Sequence, residues 1–80
     1  MLSELKVGHK VVGLKQSQKA VCEKLAKRAY IAQDADIRLR QSFAELCTQN
    51  SVETVSVETM KLLGHACGID VGAAVAVLLA

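Results

Sequence analysis

The fold is decided by the last thirteen residues, Gly68-Ile69-Asp70-Val71-Gly72-Ala73-Ala74-Val75-Ala76-Val77-Leu78-Leu79-Ala80, which fall into two halves. Residues 73–80 carry no polar side chain, and such a run predicts a central strand covered by helices on both faces. Residues 68–72 form a short turn in which apolar Ile69 and Val71 flank Asp70. Apolar side chains on a glycine-flanked turn are expected to contact a partner.

Upstream of this stretch, β-branched or apolar runs alternate with segments of helical periodicity. In the longest helix, Leu39, Phe43, Leu46 and Cys47 form one apolar stripe. Residues 52–57 alternate in polarity, which predicts an exposed edge strand. We predict helices at 2–7, 14–25 or 14–26, 37–49 and 58–67, and strands at 10–13, 29–32, 52–57 and 73–80. This order predicts one α/β domain over residues 1–80, a three-layer α/β/α sandwich with a largely parallel or mixed sheet.

Polar residues and glycines mark the expected helix ends. Gly68 is placed to end the fourth helix in a left-handed conformation. Asp34 and Asp36 lie in the polar turn 33–36, where they are expected to cap the third helix. The same pair resembles two catalytic acids, but aspartates before a helix are usually caps, and no Ser/His/Asp or Cys/His spacing supports catalysis. We therefore expect a protein that is not an enzyme.

The composition restricts the ligands that the chain can hold. The 80 residues include no Pro or Trp, and the aromatic residues are Tyr30 and Phe43. Aromatic stacking, the common means of holding single-stranded bases, is therefore almost unavailable. Cys22, Cys47 and Cys67 are odd in number and form no C-x-x-C pair, which indicates reduced, buried thiols in a cytosolic protein without a metal or cofactor.

Two features of the termini predict a cytoplasmic protein with no membrane partner. The first ten residues are too polar for the apolar region of a signal peptide. The C-terminal apolar run of about twelve residues is too short to cross a bilayer.

The net charge is +2, but the basic and acidic residues are unevenly distributed along the chain. Residues 1–30 contain seven basic and two acidic residues, a net charge of +5, whereas residues 31–80 contain three basic and six acidic residues, a net charge of −3. This asymmetry suggests a polyanionic partner for the N-terminal part. A solvated, lysine-rich surface is the equally weighted alternative.

The stretch 13–20, Gly-Leu-Lys-Gln-Ser-Gln-Lys-Ala, joins the first strand to the second helix. It contains the side chains best suited to binding a ligand. At roughly 100° per residue, Lys15, Gln16 and Lys19 share a face that points away from the core. They occupy the first two turns, where free backbone N–H groups and the helix dipole favour phosphate. Lys and Gln also suit purine edges, and Gly13 permits close backbone approach. An ordinary amphipathic helix with a solvated face is the alternative, and neither phosphate-loop glycine motif is present.

Three blocks of sequence resemble the L-seven-Ae family of kink-turn-binding ribosomal proteins, in particular its small bacterial members. They are Gly13-Leu14-Lys15-Gln16 with Lys19-Ala20, then Ala32-Gln33-Asp34-Ala35-Asp36, and the long, specific block Leu63-Gly64-His65-Ala66-Cys67-Gly68-Ile69-Asp70-Val71-Gly72-Ala73-Ala74. The resemblance covers essentially the whole chain. It implies a mixed four-stranded sheet in which the last strand is central and antiparallel to its neighbours.

The resemblance also implies a ligand, the kink-turn, a sharply bent RNA internal loop with tandem sheared G·A pairs and a flipped-out nucleotide. Such a motif could lie in ribosomal RNA, a riboswitch or another structured RNA, and the protein is expected to act as a monomer. The residues on the family's contact positions fall into three groups. The G·A pairs and adjoining backbone would be contacted by Gly13, Lys15, Gln16 and Lys19. The flipped-out nucleotide would lie beside Asp36. The exposed bases would pack against the loop that contains Ile69, Asp70 and Val71.

The chain departs from the family pattern at three positions. Leu14 stands where a capping Thr is usual, so that Gly13 must serve as the cap or the first turn frays. Ile37 replaces a Pro, and Met60 replaces a phosphate-contacting Lys of archaeal and eukaryotic members, while Lys61 is predicted to point elsewhere. We expect weaker, more salt-sensitive binding than in archaeal members. The alternative function is a protein-interaction module of the same fold that uses residues 69–71 as an apolar patch.

Overall fold

The structure, a computed structural model, describes Leu5 and residues 8–80. The predicted helix at 2–7 lies outside the described residues except for Leu5, which is buried in the core. The elements are β1 (Lys10–Val12), α1 (Leu14–Cys22), β2 (Ala26–Ala32), α2 (Ile37–Gln49), β3 (Glu53–Val57), α3 (Met60–Ala66) and β4 (Val75–Leu79).

The four strands form one mixed sheet in the order β1-β4-β2-β3. Strand β4 is antiparallel to both of its neighbours, β1 and β2, whereas β2 and β3 are parallel. The expectation that the last strand is central is confirmed, and β3 lies at an edge as its alternating pattern predicted. The first and last strands, β1 and β4, pair directly.

Alternate side chains of the inner strands enter two separate cores. Val75 and Val77 of β4 join Phe43 and Cys47 of α2 on one face of the sheet, together with Val21 of α1. The opposite face is covered by α3. There, a second cluster contains Leu5, Tyr30, Ala32, Ala35, Val57, Leu63, Ala66, Cys67, Ala73, Ala76 and Leu78. The sheet is therefore buried on both faces, which confirms the three-layer sandwich.

The prediction that α1 reaches residue 25 was wrong, because the helix ends at Cys22. Lys24 adopts a left-handed conformation with φ 61°. The Lys24 N–H donates to the Val21 carbonyl oxygen at 3.1 Å, and the Leu25 N–H donates to that of Ala20 at 2.9 Å. This pair of bonds is the Schellman motif, which usually places Gly at the left-handed position. The chain turns early enough for β2 to begin at Ala26, three residues before its predicted start.

The same motif ends the other two helices. Ser51 follows α2 with φ 58°, and Gly68 follows α3 with φ 80°. The N–H groups of Val52 and Ile69 then donate to the carbonyl oxygens of Cys47 and Gly64, at 2.8 and 3.1 Å. The predicted role of Gly68 is confirmed, and all three described helices end in the same way.

The last helix and strand are shorter than predicted, because the chain between them is held by the neighbouring elements. Helix α3 covers Met60–Ala66 and strand β4 covers Val75–Leu79. The Ala73 N–H donates to the Met60 carbonyl oxygen at 3.0 Å, and the Ala74 carbonyl oxygen accepts from the Ala32 N–H at 2.8 Å. Residues 73 and 74 therefore bridge α3 and β2 before regular strand pairing begins.

Candidate nucleic-acid interface

Every segment that carries a predicted contact residue lies at one end of the sheet. Because β4 is antiparallel to the rest, its start lies beside the carboxyl ends of the other three strands. The Gly13 N–H donates to the Val75 carbonyl oxygen at 3.1 Å, which joins the start of α1 to the start of β4. The strand order places the loop 68–74 between the start of α1, on one side, and the turn 33–36, on the other.

The start of α1 is positively charged and open. Lys15, Gln16 and Lys19 are exposed, as the helical pattern predicted, and the first turn contains no acidic residue. Gly13 is the N-cap, with φ 100° and ψ 158°, and supplies no side-chain hydrogen bond. Its carbonyl oxygen accepts from the Ser17 N–H at 3.0 Å. Because the first turn holds no acidic side chain, the positive end of the helix dipole there favours an anionic ligand.

The turn 33–36 caps two different helices. Asp36 caps α2 as predicted, because its Oδ1 accepts from the N–H groups of Arg38 and Leu39 at 2.8 and 3.4 Å. The prediction that Asp34 caps the same helix was wrong. Its Oδ1 accepts from the Met60 N–H at 2.7 Å, at the first residue of α3. The exposed Asp36 carboxylate is therefore held in place next to the sheet end that carries the other predicted contacts.

Arg40 holds this turn from within α2. Its Nε donates to the Ala35 carbonyl oxygen at 3.0 Å, and its Nη1 lies 3.5 Å from the Gln33 Oε1. Sequence analysis gave Arg40 no role in this turn, because the bond joins a helix side chain to a backbone carbonyl that no local pattern marks.

The loop before β4 presents apolar side chains to solvent. Ile69 keeps 36% and Val71 69% of its surface exposed, and Asp70 between them is also exposed. The structure thus confirms that the two apolar side chains are exposed. Their contact with exposed RNA bases stays a prediction.

Gly64, a residue that the sequence reading did not single out, sets the position of this loop. A Cβ at Gly64 would overlap the Val71 carbonyl oxygen and would lie 3.1 Å from the Gly72 Cα. Gly72 in turn lies against Met60, since a Cβ there would be 3.1 Å from the Met60 Cβ. Helix α3 and the loop pack with backbone against backbone, which only glycine permits.

The described residues show no acidic, histidine and cysteine grouping of three or more that could hold a metal ion. Cys47 and Cys67 are buried as predicted, but the prediction was wrong for Cys22, which is exposed at the last residue of α1. Burial raises the pKa of Cys47 to about 11. Burial also raises the pKa of Cys67, against the opposing charge of Lys10. Both buried thiols are therefore protonated at neutral pH, which makes them poor nucleophiles. Within residues 8–80, no helix is long and apolar enough to span a membrane.

Two bacterial proteins illustrate what the chain is similar to. An RNA-binding protein of Caldanaerobacter subterraneus subsp. tengcongensis is 45% identical over 67 residues, which cover 84% of this chain and 82% of that protein. The RNA-binding protein YbxF of Geobacillus stearothermophilus is 36% identical over 75 residues, which cover 94% of this chain and 92% of YbxF.

A solved structure and a family model agree with these relatives. The 15.5kD RNA binding protein of Giardia lamblia superposes with a TM-score of 0.91 at 27% identity, over 99% of this chain and 70% of that one. The model of the ribosomal protein L7Ae/L30e/S12e/Gadd45 family matches residues 2–79. The chain belongs to the ribosomal protein L7Ae/L30e/S12e/Gadd45 family.

Proposed function

We propose that this protein binds RNA, without catalysis, and that its ligand is the kink-turn. Family membership and the relatives described as RNA-binding proteins support the first part. The observation that supports a kink-turn as the ligand is the arrangement at one end of the sheet. There, a cationic helix start, an apolar loop and a capped carboxylate lie side by side. A sharply bent RNA offers a complementary combination of exposed purine edges, unstacked bases and phosphates.

The α1 side chains suit the sheared G·A pairs of such a motif. Lys15 and Lys19 carry donors for the O6 and N7 acceptors of guanine, and Gln16 can pair with adenine. In regular A-form RNA these edges lie in a deep, narrow groove that side chains cannot read, whereas a kinked internal loop exposes them. A Cβ at Gly13 would meet nothing within 4 Å, so the space beside the glycine is open to RNA backbone.

The loop supplies a non-aromatic surface for bases that have lost their stacking partners. Ile69 and Val71 project from a backbone that packing against Gly64 holds in place, so that little conformational entropy is lost on binding. On the far side of the loop, the cap hydrogen bonds orient the Asp36 carboxylate, which we place beside the flipped-out nucleotide. All eight predicted contact residues are thereby assigned to one continuous RNA surface.

The decisive experiment compares two RNA duplexes of the same length. One carries a bulge followed by tandem G·A pairs, and in the other those pairs are converted to Watson–Crick pairs. We expect the second duplex to lose most of the affinity of the first, measured by fluorescence anisotropy at fixed salt. Equal affinity for both duplexes would reject kink-turn recognition, and absence of binding to either would reject RNA binding altogether.

The exposure of Val71, at 69%, also favours the alternative of a protein-interaction module that uses residues 69–71. Salt concentration separates the two functions. RNA binding through several phosphate contacts falls steeply as salt rises, because condensed counterions are released from the RNA. An apolar protein contact would show little such dependence.

We further propose that the protein acts in the cytoplasm as a monomer and that its natural target is a kink-turn in ribosomal RNA or a riboswitch. Crosslinking in cells, followed by sequencing of the recovered RNA, identifies that target. Sedimentation of the protein with and without a kink-turn duplex tests for one protein molecule per RNA site.

A further inference from the structure

The outward face of α3 carries side chains that the proposed interface does not use. Lys61, Leu62 and His65 are exposed, whereas Leu63 and Ala66 of the same helix are buried against the sheet. Leu62 keeps 46% of its surface exposed. About half of the surface of this leucine is therefore open to a partner, beside a lysine and a histidine.

These side chains form one wall of a concavity whose other wall is the loop before β4. Its volume is about 300 Å³, at the lower end of the range for small-ligand pockets. It is lined by Lys61, Leu62, His65, Ile69, Asp70, Val71 and Gly72. The lining combines three aliphatic side chains, a lysine, a histidine and a single carboxylate.

Backbone hydrogen bonds join the two walls of this concavity. The Ile69 N–H donates to the Gly64 carbonyl oxygen at 3.1 Å, and the Ala73 N–H donates to that of Met60 at 3.0 Å. Both ends of the loop are thus bonded to α3, and Gly64 packs against the loop between them. A site whose shape exists before binding loses less entropy when a ligand enters.

We propose that this concavity is a subsite for one unpaired RNA base that carries an exocyclic amino group, with its phosphate bound by Lys61 and His65. The inference rests on the RNA-binding function proposed above, and it adds the face of α3 to the α1 side of that surface. Leu62, Ile69 and Val71 would cover the faces of the base. The carboxylate of Asp70 would accept a hydrogen bond from the amino group, since carboxylates pair with the amino groups of bases.

Two observations favour RNA over a protein segment as the occupant. The concavity shares the loop 69–72 with the proposed interface, so that an RNA strand crossing the loop from α1 leads directly into it. Lys61 and Asp70 also stand on its walls, and an apolar protein segment would bury both charges at a cost. A nucleotide supplies a phosphate for the lysine and an amino donor for the carboxylate.

The first test replaces the two α3 side chains and uses matched controls at the opposite end of the sheet. Leu62→Ala is expected to weaken binding of a kink-turn duplex about tenfold, the size of one base contact. Lys61→Ala is expected to weaken it and to lower the salt dependence. Leu25, which is 51% exposed, and Lys27 give the controls Leu25→Ala and Lys27→Ala, which should bind as the unmodified protein does.

The second test identifies the base by combining protein and RNA changes. Each unpaired nucleotide of the duplex is replaced in turn by an abasic residue and by uridine, which lacks the amino group. At one position the losses from the abasic residue and from Leu62→Ala should not add, because both remove the same contact. At that position uridine should bind about tenfold less well than cytidine or adenosine to the unmodified protein, and equally well to Asp70→Ala.

The proposal is overturned if Leu62→Ala binds the duplex as tightly as Leu25→Ala, or if the two losses add at every position. Either result, together with retained discrimination of the G·A pairs, rejects the subsite and leaves the proposed function standing. Capture of a protein through Leu62, with unchanged RNA affinity, also rejects it. Loss of discrimination between the two duplexes by the unmodified protein instead rejects the proposed function itself.

Discussion

The two halves of the candidate surface are built in opposite ways. At the start of α1 the backbone is open, because a Cβ on Gly13 would meet nothing within 4 Å, and the exposed side chains are polar. In the loop before β4 the backbone is tightly packed against Gly64, and the exposed side chains include the apolar Ile69 and Val71. One half is a set of side chains on an ordinary helix, whereas the other is a backbone shape that the core of the domain holds.

This difference predicts which substitutions change RNA binding alone and which also change the stability of the fold. The Lys15, Gln16 and Lys19 side chains of α1 are exposed, so that their replacement should change binding and leave the free energy of unfolding nearly unchanged. Changes in the backbone packing of the loop should affect both, because the loop is tied to α3 and to β2. Four substitutions test this contrast, from the largest expected effect to the smallest.

Gly64→Ala is expected to lower the free energy of unfolding by about 3 kcal/mol. The new methyl group overlaps the Val71 carbonyl oxygen, so that the loop must move away from α3. Urea denaturation at equilibrium measures the change. Higher stability would contradict the close packing, since an alanine inside an otherwise unhindered helix is favoured by about 1 kcal/mol over glycine.

Lys19→Ala is expected to weaken binding to a kink-turn duplex by about 1–3 kcal/mol, as for a contact with a base edge. The free energy of unfolding should stay close to that of the unmodified protein, because Lys19 is exposed. Lys27→Ala, an exposed lysine at the other end of the sheet, is the control. If the salt dependence falls while preference for G·A pairs is retained, Lys19 contacts phosphate and not a base.

Gly13→Ala is expected to lower the free energy of unfolding by about 1–2 kcal/mol. The cost comes from the backbone conformation, φ 100° with ψ 158°, which essentially only glycine adopts, because space for a Cβ is open. Gly68→Ala, with φ 80° and equally open space, should also lower stability and serves as the control for a positive φ. A further loss of RNA affinity in Gly13→Ala, measured below its unfolding temperature, would show close backbone approach by the ligand.

Asp36→Ala is expected to lower the free energy of unfolding by about 1 kcal/mol, the usual cost of losing a helix cap. Asp36→Asn should retain nearly full stability, because asparagine is an equally good cap. Thermal unfolding of the two variants distinguishes the contribution of the cap hydrogen bonds to stability from the contribution of the negative charge. If Asp36→Asn is as unstable as Asp36→Ala, the cap hydrogen bonds at 2.8 and 3.4 Å do not account for the stabilisation.

Local signals in the chain were sufficient for much of the fold and for the polar half of the surface. The bounds of Ile37–Gln49 were predicted correctly, because an aspartate cap precedes an unbroken apolar stripe. The exposure of Lys15, Gln16 and Lys19 followed from helical periodicity alone. The central position of β4 followed from its lack of any polar face.

Other features depend on residues far apart in the chain. Asp34 caps a helix that begins 26 residues later, and nothing near Asp34 indicates that partner. The strand β2 begins at Ala26 because its backbone there pairs with Leu79, at the far end of the chain. Arg28 of the same strand lies with its Nε 2.6 Å from the Glu53 Oε1 of β3. The left-handed Lys24 was missed because such positions are usually glycine.

The sequence by itself determined the α/β class, a central apolar strand, a cationic helix start and an exposed apolar turn, because each depends on spacing along a single segment. Only the tertiary structure decided which of these features lie together. The antiparallel insertion of β4 brings its preceding loop to the carboxyl ends of the other three strands. The packing of Gly64 against Val71 then gives that loop one shape, because backbone can approach backbone so closely only where no side chain intervenes.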